Sequence, residues 1–397
     1  MKNSLHDAMC VFCIIMKNPL LILYSLLTKC EIMTGIPLGI ENDLEDSQFY
    51  NRVEEVSFLS DNLKLTKKGS TPTILLTGIK GVGKSALLKK LKKDFQDEYL
   101  VVYMDLSKIN KPPITRFDFM KLLCKSIIEA YNESNIAIDT KIPKSEEDYA
   151  KFATFVMDLP KQIYENCKSH NSRVLIFMDE FQILKQLDED VNGFLWYIRS
   201  VIQSQKHIGY IFSGSMSVKD ELITDIAGQK GAFGGRILNF EINTFSFDTT
   251  RNYLTEKAEY LKFTDDGFKR FYKCTKGIPY YINSFARLLP PNEELNEDKI
   301  ISEFKNSLPY LLIHLTNEWY KLTKQEQRII TALIEKPLKR IEIANKLEVS
   351  SGAIGASLKT LQNKSLIELD KNKYKIYDSI FKEWLKKEYE EKGDYPY

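Results

Sequence analysis

Several features that mark whole classes of protein are scarce in this sequence of 397 residues. Its six cysteines are too scattered for the dense disulfide framework of a small secreted protein, so a reducing, cytoplasmic setting is expected. A large charge imbalance is also missing, because 56 basic and 54 acidic residues leave a net charge of +2. The chain as a whole therefore offers no electrostatic attraction to nucleic acid or anionic lipid, and any such binding needs a local patch.

A continuous apolar stretch that could cross a bilayer is missing as well. Residues 9–27 are mostly apolar, but a Lys-Asn-Pro sequence at 17–19 leaves runs shorter than the roughly 20 residues of a spanning helix. No signal-peptide cleavage site follows, and the CxxC pair in this region has no second ligand pair that would complete a zinc site. We expect no membrane partner. We treat residues 1–45 as a disordered extension, or as sequence upstream of a working start at Met33.

From residue 46 onward, apolar runs that suit buried strands alternate with helical patterns. The runs occupy residues 73–77, 99–104, 174–178, 208–213 and 236–240. The helical patterns occupy residues 49–63, 83–95, 116–131, 147–167 and 188–205. Strand, helix and strand in repetition require parallel strands with crossover helices on both faces. The predicted fold class is therefore α/β, with a parallel sheet as its core.

A segment that fits the pattern G-x4-G-K-[ST] follows the first of these strands. Its residues are Gly78, Ile79, Lys80, Gly81, Val82, Gly83, Lys84 and Ser85, and Ala86 continues into a helix. The glycines let backbone N–H groups converge on phosphate oxygens, and the helix directs its positive end at them. In such a loop Lys84 reaches the β and γ phosphates and Ser85 ligates Mg²⁺. The sequence thus predicts a site for ATP and Mg²⁺ rather than an unliganded glycine-rich turn.

An acidic pair, Asp179 and Glu180, follows the apolar run at residues 174–178. At the tip of a strand beside the phosphate loop, Asp179 would hold Mg²⁺ through water, and Glu180 would polarise the attacking water. The alternative interpretation is an acidic N-cap of a helix, which would also place two acidic residues after a strand. The position of the pair, about 100 residues after the phosphate loop, favours the catalytic interpretation.

Two further positions are candidates for contact with the phosphates. Ser213 and Ser215 end the fourth strand, where a hydroxyl could hydrogen-bond the γ-phosphate or could simply be part of a turn. Arg236 follows three glycines and is a candidate arginine finger, acting on the ATP of its own chain or, with self-association, of a neighbouring subunit. The alternative for Arg236 is a solvated side chain at the start of a strand.

In their combined order these motifs resemble the archaeal-type P-loop ATPase family, a relative of the STAND signalling ATPases and of the AAA+ origin-recognition ATPases. The resemblance rests on Phe49, Asn51, Arg52, Glu55, the phosphate loop, residues 179–182, residues 212–215, Gly235, Arg236 and residues 277–281. It implies an AAA+-like core with a helical lid and covers roughly residues 49–384. It also implies that Asn51 and Arg52 lie near the adenine end of the nucleotide, and that Gly277 and Pro279 open a lid helix over the phosphates.

The last part of the chain is predicted to be a winged helix. Helical patterns at residues 324–334 and 339–347 precede a third helix capped by Ser351, and residues 366–376 alternate like a hairpin wing. We expect four parts. They are an extension (residues 1–45), an ATPase core (46–246), a helical lid (247–320) and the winged helix (321–390).

The winged helix raises the question of a DNA partner. Residues 322–387 contain 14 Lys and Arg against 8 Asp and Glu, and the wing holds Lys364, Lys371, Lys373 and Lys375. This local surplus predicts salt-sensitive, sequence-independent binding to duplex DNA, with docking onto a protein as the alternative. The sequence therefore predicts a Mg-dependent ATPase that switches conformation, with Lys84, Glu180 and Arg236 as its catalytic residues. A STAND-like regulatory nucleotide-binding module is the alternative.

Overall fold

A computed structural model describes residues 49–109, 113–133, 149–166, 173–188, 190–215, 221–364 and 366–396. The predictions for residues 1–45, including a start at Met33, lie outside these residues. Within the described ranges, no helix combines the length and the apolar character that crossing a membrane requires.

Five parallel strands form the central sheet, which confirms the α/β class. They are β1 (Thr73–Thr77), β2 (Leu100–Asp105), β3 (Val174–Asp179), β4 (Ile208–Gly214) and β5 (Leu238–Glu241). Their order across the sheet is β2-β3-β4-β1-β5, and every neighbouring pair is parallel. Every residue of β1, β3 and β4 is buried, because helices cover both faces. This burial explains why these strands are continuous apolar runs in the sequence.

Helices pack on both faces of the sheet. They are α1 (Val53–Leu63), α2 (Lys84–Phe95), α3 (Arg116–Glu133), α4 (Tyr149–Asn166), α5 (Val191–Ser204) and α6 (Glu221–Ala227), with 3₁₀ turns at Lys64–Lys68, Leu106–Lys108 and Phe181–Gln186. Successive residues of β1 face opposite sides. Ile74 and Leu76 join the core under α1 and α2, whereas Leu75 joins the core under α3, α4 and α5.

A helical region follows the sheet. It contains α7 (Phe247–Lys257), α8 (Asp265–Thr275), α9 (Pro279–Ala286), α10 (Glu297–Leu311) and α11 (Ile313–Tyr320), with the short parallel strands β6 (Lys262–Phe263) and β7 (Glu294–Leu295). Ser246, Thr264 and Asn296 cap α7, α8 and α10 by accepting a backbone N–H of the first turn. These caps explain where the three helices begin.

The C-terminal region contains three short helices, a hairpin and a final helix. They are α12 (Lys324–Ala332), α13 (Arg340–Lys346), α14 (Gly355–Asn363), β8 (Ile367–Asp370), β9 (Lys373–Ile376) and α15 (Ser379–Lys392). The predicted cap at Ser351 is wrong, because α14 begins after Ile354 without a side-chain cap. The Ser351 carbonyl instead accepts a hydrogen bond from Arg340 Nε at 2.7 Å, which holds this segment as a turn.

The helical region and the C-terminal region share one hydrophobic core, which runs from Phe245 to Leu385. Trp319 is fully buried and packs edge to face against Phe381 and Trp384, with ring centroids 6.0 and 6.3 Å away. The sequence-based division at residue 321 therefore does not separate two cores.

Gly277 offers a test of how closely the segment before α9 packs against Phe245, at the start of the helical region. Its φ is +69°, and an added Cβ would lie 2.1 Å from the Phe245 carbonyl oxygen. Gly393 has a similar φ of +73°, but no described atom lies within 4 Å of its added Cβ. We expect Gly393→Ala to lower the free energy of unfolding by about 1 kcal/mol, the cost of the left-handed backbone. Gly277→Ala should lower it by more than about 3 kcal/mol, because backbone must also move.

Urea denaturation of both variants under identical conditions measures this difference. Equal losses in Gly277→Ala and Gly393→Ala would show that the Phe245 carbonyl does not restrict residue 277.

Candidate phosphate-binding site

The glycine-rich loop connects β1 to α2 at the carboxyl edge of the sheet. Its three glycines all have positive φ, with values of 146° at Gly78, 81° at Gly81 and 102° at Gly83. An added Cβ at Gly78 would lie 2.7 Å from the Ile242 carbonyl oxygen, so this position requires glycine. At Gly83, the N-cap of α2, no described atom lies within 4 Å of an added Cβ. The space beside Gly83 is therefore open, and a helix N-terminus such as that of α2 suits an anion.

Lys84 is buried at the base of this loop, with 5% of its surface exposed. Its Nζ donates to the Gly78 and Ile79 carbonyl oxygens at 2.9 and 3.0 Å and to Ser215 Oγ at 3.0 Å. Burial lowers the Lys84 pKa to about 8, although the carboxylates of Glu180 and Asp179 act in the opposite direction. Among the residues that the structure describes, the ammonium is thus hydrogen-bonded only to neutral oxygens, and a phosphate would supply a negative charge.

Asp179 ends β3 with both carboxylate oxygens held. It is 2% exposed, accepts a hydrogen bond from the Tyr103 hydroxyl at 2.8 Å and accepts another from the Glu180 backbone N–H at 2.9 Å. Burial and the charge of Asp179 raise the Tyr103 pKa well above its usual range. Tyr103 therefore stays protonated and orients Asp179. Sequence reasoning missed it because its contact depends on β2 lying next to β3.

Glu180 and Lys84 are connected by a polar network of four residues: Lys84, Ser215, Gln182 and Glu180. Gln182 Nε2 donates to Glu180 Oε2, and Gln182 Oε1 accepts from the Ser215 N–H at 3.0 Å. Ser215 Oγ in turn accepts from Lys84. Of the two serines considered in the sequence, Ser215 is the one that reaches the loop. The buried Ser213 hydroxyl has no hydrogen-bond partner among the described residues.

The remaining loop residues surround this network. Ser85 lies in the first turn of α2 and is half-buried, as are Ile79 and Ala86, whereas Lys80 is exposed. Within the described ranges, no three His, Cys, Asp or Glu side chains are grouped as a metal site. Ser85 and Asp179 are the predicted ligands, and Mg²⁺ is commonly held by one or two protein oxygens together with substrate phosphates.

Arg52 connects the glycine-rich loop to the segment that follows β5. Arg52 is 6% exposed. Its guanidinium donates to the Val82 and Asn243 carbonyl oxygens at 3.2 and 2.6 Å and forms an ion pair with Glu55 at 2.8 Å. These contacts direct the guanidinium at protein atoms, and the predicted place of Arg52 near the adenine end of the nucleotide stays a prediction. The adjacent Asn51 is exposed, and its predicted place near adenine stays a prediction.

The first turn of α9 lies directly on the loop. Pro279 is the first residue of this helix, and the Tyr280 N–H donates to the Gly81 carbonyl oxygen at 3.1 Å. An added Cβ at Gly81 would lie 2.8 Å from Tyr280 Cβ, so the approach requires glycine. The next residue, Tyr281, is buried and donates to Asp378, which caps α15. Two successive residues of α9 thus contact the loop and the C-terminal region.

Arg236 does not join the site of its own chain. It is exposed, and its Nη1 lies 3.0 Å from the amide oxygen of Gln203 when that amide is oriented toward the arginine. β5 is parallel to β1, with Leu238 beside Ile74 and Glu241 beside Thr77. Arg236 is therefore at the amino edge of the sheet, about 16 Å along the strand direction from the loop. The prediction that it contacts the ATP of its own chain is wrong.

The sheet order and the loop after β1 define a P-loop NTPase of the AAA+ type. Residues 49–285, more than half of the chain, match a family described as an ATPase domain predominantly from Archaea. The chain belongs to that family.

Two solved structures share the fold at low sequence identity. The Walker-type ATPase of Pyrococcus abyssi is 18% identical with a TM-score of 0.62, over 88% of this chain and 99% of that one. The Orc1 protein of Aeropyrum pernix, solved in complex with DNA, is 12% identical with a TM-score of 0.52, over 86% of this chain and 93% of that one. No curated protein matches the sequence.

The burial of Lys84 predicts how stability depends on pH. Its pKa is about 8 in the folded chain against 10.5 ordinarily, so between these values the unfolded chain binds more protons. Stability relative to Lys84→Met should therefore rise with pH across this window. The total rise is about 3 kcal/mol, at about 1.4 kcal/mol per pH unit.

Urea denaturation of wild type and Lys84→Met from about pH 7 to pH 10.5, in EDTA and without nucleotide, measures this rise. Lys80→Met is the control, because Lys80 is an exposed lysine of the same loop. A stability difference between wild type and Lys84→Met that stays constant with pH would contradict the buried-charge account.

Proposed function

We propose that this chain binds ATP and Mg²⁺ at the glycine-rich loop, hydrolyses the ATP and passes the change of state to its C-terminal region. The observation that carries the proposal is the buried Lys84 ammonium. Its hydrogen-bond partners among the described residues are all neutral oxygens, and the space beside Gly83 in the same loop is open. Burying such a charge without an anion destabilises the protein, so the arrangement favours a phosphate ligand.

The residues have separate tasks in this proposal. Lys84 binds the β and γ phosphates, and backbone N–H groups of the loop bind the remaining oxygens. Ser85 and Asp179 hold Mg²⁺, which when bound neutralises charge on the phosphate oxygens. Glu180, one residue beyond Asp179, orients and polarises the attacking water. Asn51 remains the candidate for the adenine end.

Glu180→Gln separates binding from hydrolysis. The variant keeps the shape of the side chain but loses the base, so we expect normal binding of Mg-ATP and phosphate release at least about a hundredfold slower than wild type. Lys84→Ala should bind no nucleotide, because it loses the charge in contact with the phosphates. Calorimetry and a phosphate-release assay measure the two effects. Wild-type turnover in Glu180→Gln would transfer the catalytic role to another group.

The connection to the C-terminal region is proposed to run through α9. Tyr280 contacts Gly81 of the loop, and Tyr281 contacts Asp378 at the start of α15. Lys276 adds a hydrogen bond to Ser379 next to the same cap. Since the two regions share one core, a shift of α9 on nucleotide binding would displace the C-terminal region as a body.

We further propose that the C-terminal region is a winged helix that binds duplex DNA. Three helices, α12 to α14, precede the β8–β9 hairpin. Leu338, just before α13, forms an isolated antiparallel bridge with Tyr374 and so adds a third chain segment beside β9. Lys371 and Lys373 are exposed at the hairpin tip, where they could contact phosphates. The Orc1 relative was solved in complex with DNA, which is a precedent within this fold.

Docking onto a protein is the alternative for the same region, and one observation favours it. Ile341 of α13 is 61% exposed and Val349 is 36% exposed, so the surface around α13 offers apolar side chains. The exposed residues of α14 include Ala356 and Lys359, which can form few of the hydrogen bonds to base edges that sequence-specific recognition requires.

The hairpin lysines decide between these partners. Lys375 forms ion pairs with Glu368 at 3.0 Å and Asp370 at 3.5 Å. These carboxylates neutralise its charge within the hairpin, so we expect it to attract a phosphate only weakly. We expect Lys371→Glu with Lys373→Glu to weaken binding to all duplexes alike and to reduce its salt dependence. Lys375→Gln, the control, should bind nearly as wild type does.

Fluorescence anisotropy of a labelled duplex over a salt series measures both variants. If the wild type binds no duplex at low salt with ATP, ADP or neither, docking onto a protein replaces the DNA proposal.

For Arg236, the proposed arginine-finger role is one between two copies of the chain. Its exposure and its place at the amino edge of the sheet leave it available to the nucleotide of a second copy. We propose this contact, and with it self-association, as the remaining form of the arginine-finger hypothesis.

A further inference from the structure

We propose that two copies of this chain associate through β5, whose outer edges pair antiparallel and join the two sheets into one. The proposal names a surface for the self-association proposed above, and it rests on the proposed function only where it concerns Arg236. The pairing itself follows from the backbone and side chains of β5, and it is tested through the oligomeric state rather than through ATP hydrolysis.

β5 is the exposed edge of the central sheet. The sheet ends at β2 on one side and at β5 on the other. Four of the six residues of β2 are buried, whereas none of the four residues of β5 is. Leu238, Asn239 and Glu241 are exposed, and Phe240 is half-buried. An exposed edge strand presents N–H and C=O groups that can pair with a further strand.

Alternate residues of β5 direct their backbone groups away from β1. The Ile242 N–H donates to the Thr77 carbonyl oxygen of β1 at 2.9 Å. Backbone groups alternate in direction along a strand, so those of Asn239 and Glu241 point outward. Among the described residues, no backbone group pairs with them on that side. The outer edge of β5 therefore offers main-chain donors and acceptors to another strand.

Apolar side chains lie along the same edge. Leu238 is 37% exposed, and it shares the face of the sheet that α1 covers with Phe240. Phe240 stacks on Phe58 of α1 with ring centroids 4.8 Å apart, and Phe58 is itself 39% exposed. Exposed apolar side chains beside open backbone groups favour a protein strand as the occupant of this edge.

A second copy fits this edge in one symmetric register. The two-fold axis of such a dimer is perpendicular to the joined sheet and keeps each face on its own side, so paired residue numbers differ by an even amount. With Asn239 on the axis, the two Asn239 residues exchange both backbone hydrogen bonds. Leu238 then lies across from Phe240 of the second copy, in the kind of pair whose Cα atoms are about 4.5 Å apart. The apolar side chains of both copies thus cover one another.

Antiparallel pairing also brings together the unlike ends of the strand. Arg236 precedes β5 and Glu241 ends it, so the arginine of one copy approaches the carboxylate of the other. Arg236 then lies across from Ile242 of the second copy. A Cβ added at Gly78 would lie 2.7 Å from the Ile242 carbonyl oxygen, so Ile242 adjoins the phosphate loop. This pairing therefore gives Arg236 the position that its proposed role between two copies requires.

Asn239→Pro tests the pairing, because it removes the outward N–H at the centre of the interface. Proline is accepted on an edge strand where its nitrogen faces away from the sheet. We expect the dissociation constant of the dimer to rise at least about tenfold, since one hydrogen bond is lost from each copy. Asn239→Thr keeps the N–H and should dimerise as wild type does. Sedimentation velocity of the full chain over a concentration series measures both variants.

A new cysteine tests the register. Asn239→Cys should form a disulfide with its counterpart on oxidation, because residues of a hydrogen-bonded pair have Cα atoms about 5.5 Å apart. Glu241→Cys is the control, since the two copies of residue 241 would be about 14 Å apart. A non-reducing gel with peptide mapping separates the new disulfide from any formed by the chain's own cysteines.

The results separate the pairing from the proposed ATPase. A wild type that stays monomeric overturns the proposal and assigns the edge to residues 1–45 or to another protein. Equal dimer stability in Asn239→Pro and wild type, or equal cross-linking at residues 239 and 241, also overturns it. If Asn239→Pro does not fold, Leu238→Lys replaces it and should weaken the dimer, with Val349→Lys as a control of similar exposure. A dimer that binds no nucleotide would contradict the proposed ATPase and support the pairing.

Discussion

The buried ammonium of Lys84 is the constraint on which the site depends. It is only 5% exposed, and its partners are two carbonyl oxygens of its own loop and one serine hydroxyl. The loop can present those carbonyls because its glycines adopt positive φ, which other residues rarely do. The charges of Glu180 and Asp179 act to raise the Lys84 pKa, but burial outweighs them and lowers it. The three contacts of Lys84 satisfy its hydrogen bonds without neutralising its charge, and the proposed binding of a polyanion would supply the opposite charge.

The second organising feature is the start of α9, which relates this site to the rest of the chain. Tyr280 touches the loop through its backbone, and Tyr281 touches the cap of α15 through its hydroxyl. Neighbouring residues of a helix point in different directions, so one short helix can serve both contacts. The common core from Phe245 to Leu385 packs the helical and C-terminal regions against each other. This architecture supports a switch that acts through motion of these regions relative to the sheet.

The sequence was sufficient for the features that are local. The phosphate loop and the acidic pair were predicted because their chemistry depends on spacing along one strand and its turn, and the buried strands because both faces of a parallel sheet are covered. Contacts that depend on strand order were not predictable, and they include Tyr103 on Asp179 and Gln182 on Ser215. Arg236 was misplaced for the same reason, since three preceding glycines do not tell which edge of the sheet a residue occupies. Ser351 failed as a cap because a distant arginine binds its carbonyl.

Proton uptake on nucleotide binding tests the central claim that phosphate completes the charge of Lys84. With a pKa of about 8, Lys84 is about half protonated at pH 8 in the free chain, and contact with phosphate should protonate it fully. Titration calorimetry of a non-hydrolysable ATP analogue with Mg²⁺, in buffers of different ionisation enthalpy, measures this. The account predicts uptake of about half a proton at pH 8 and almost none near pH 6.5. Binding with no proton uptake at pH 8 would contradict it.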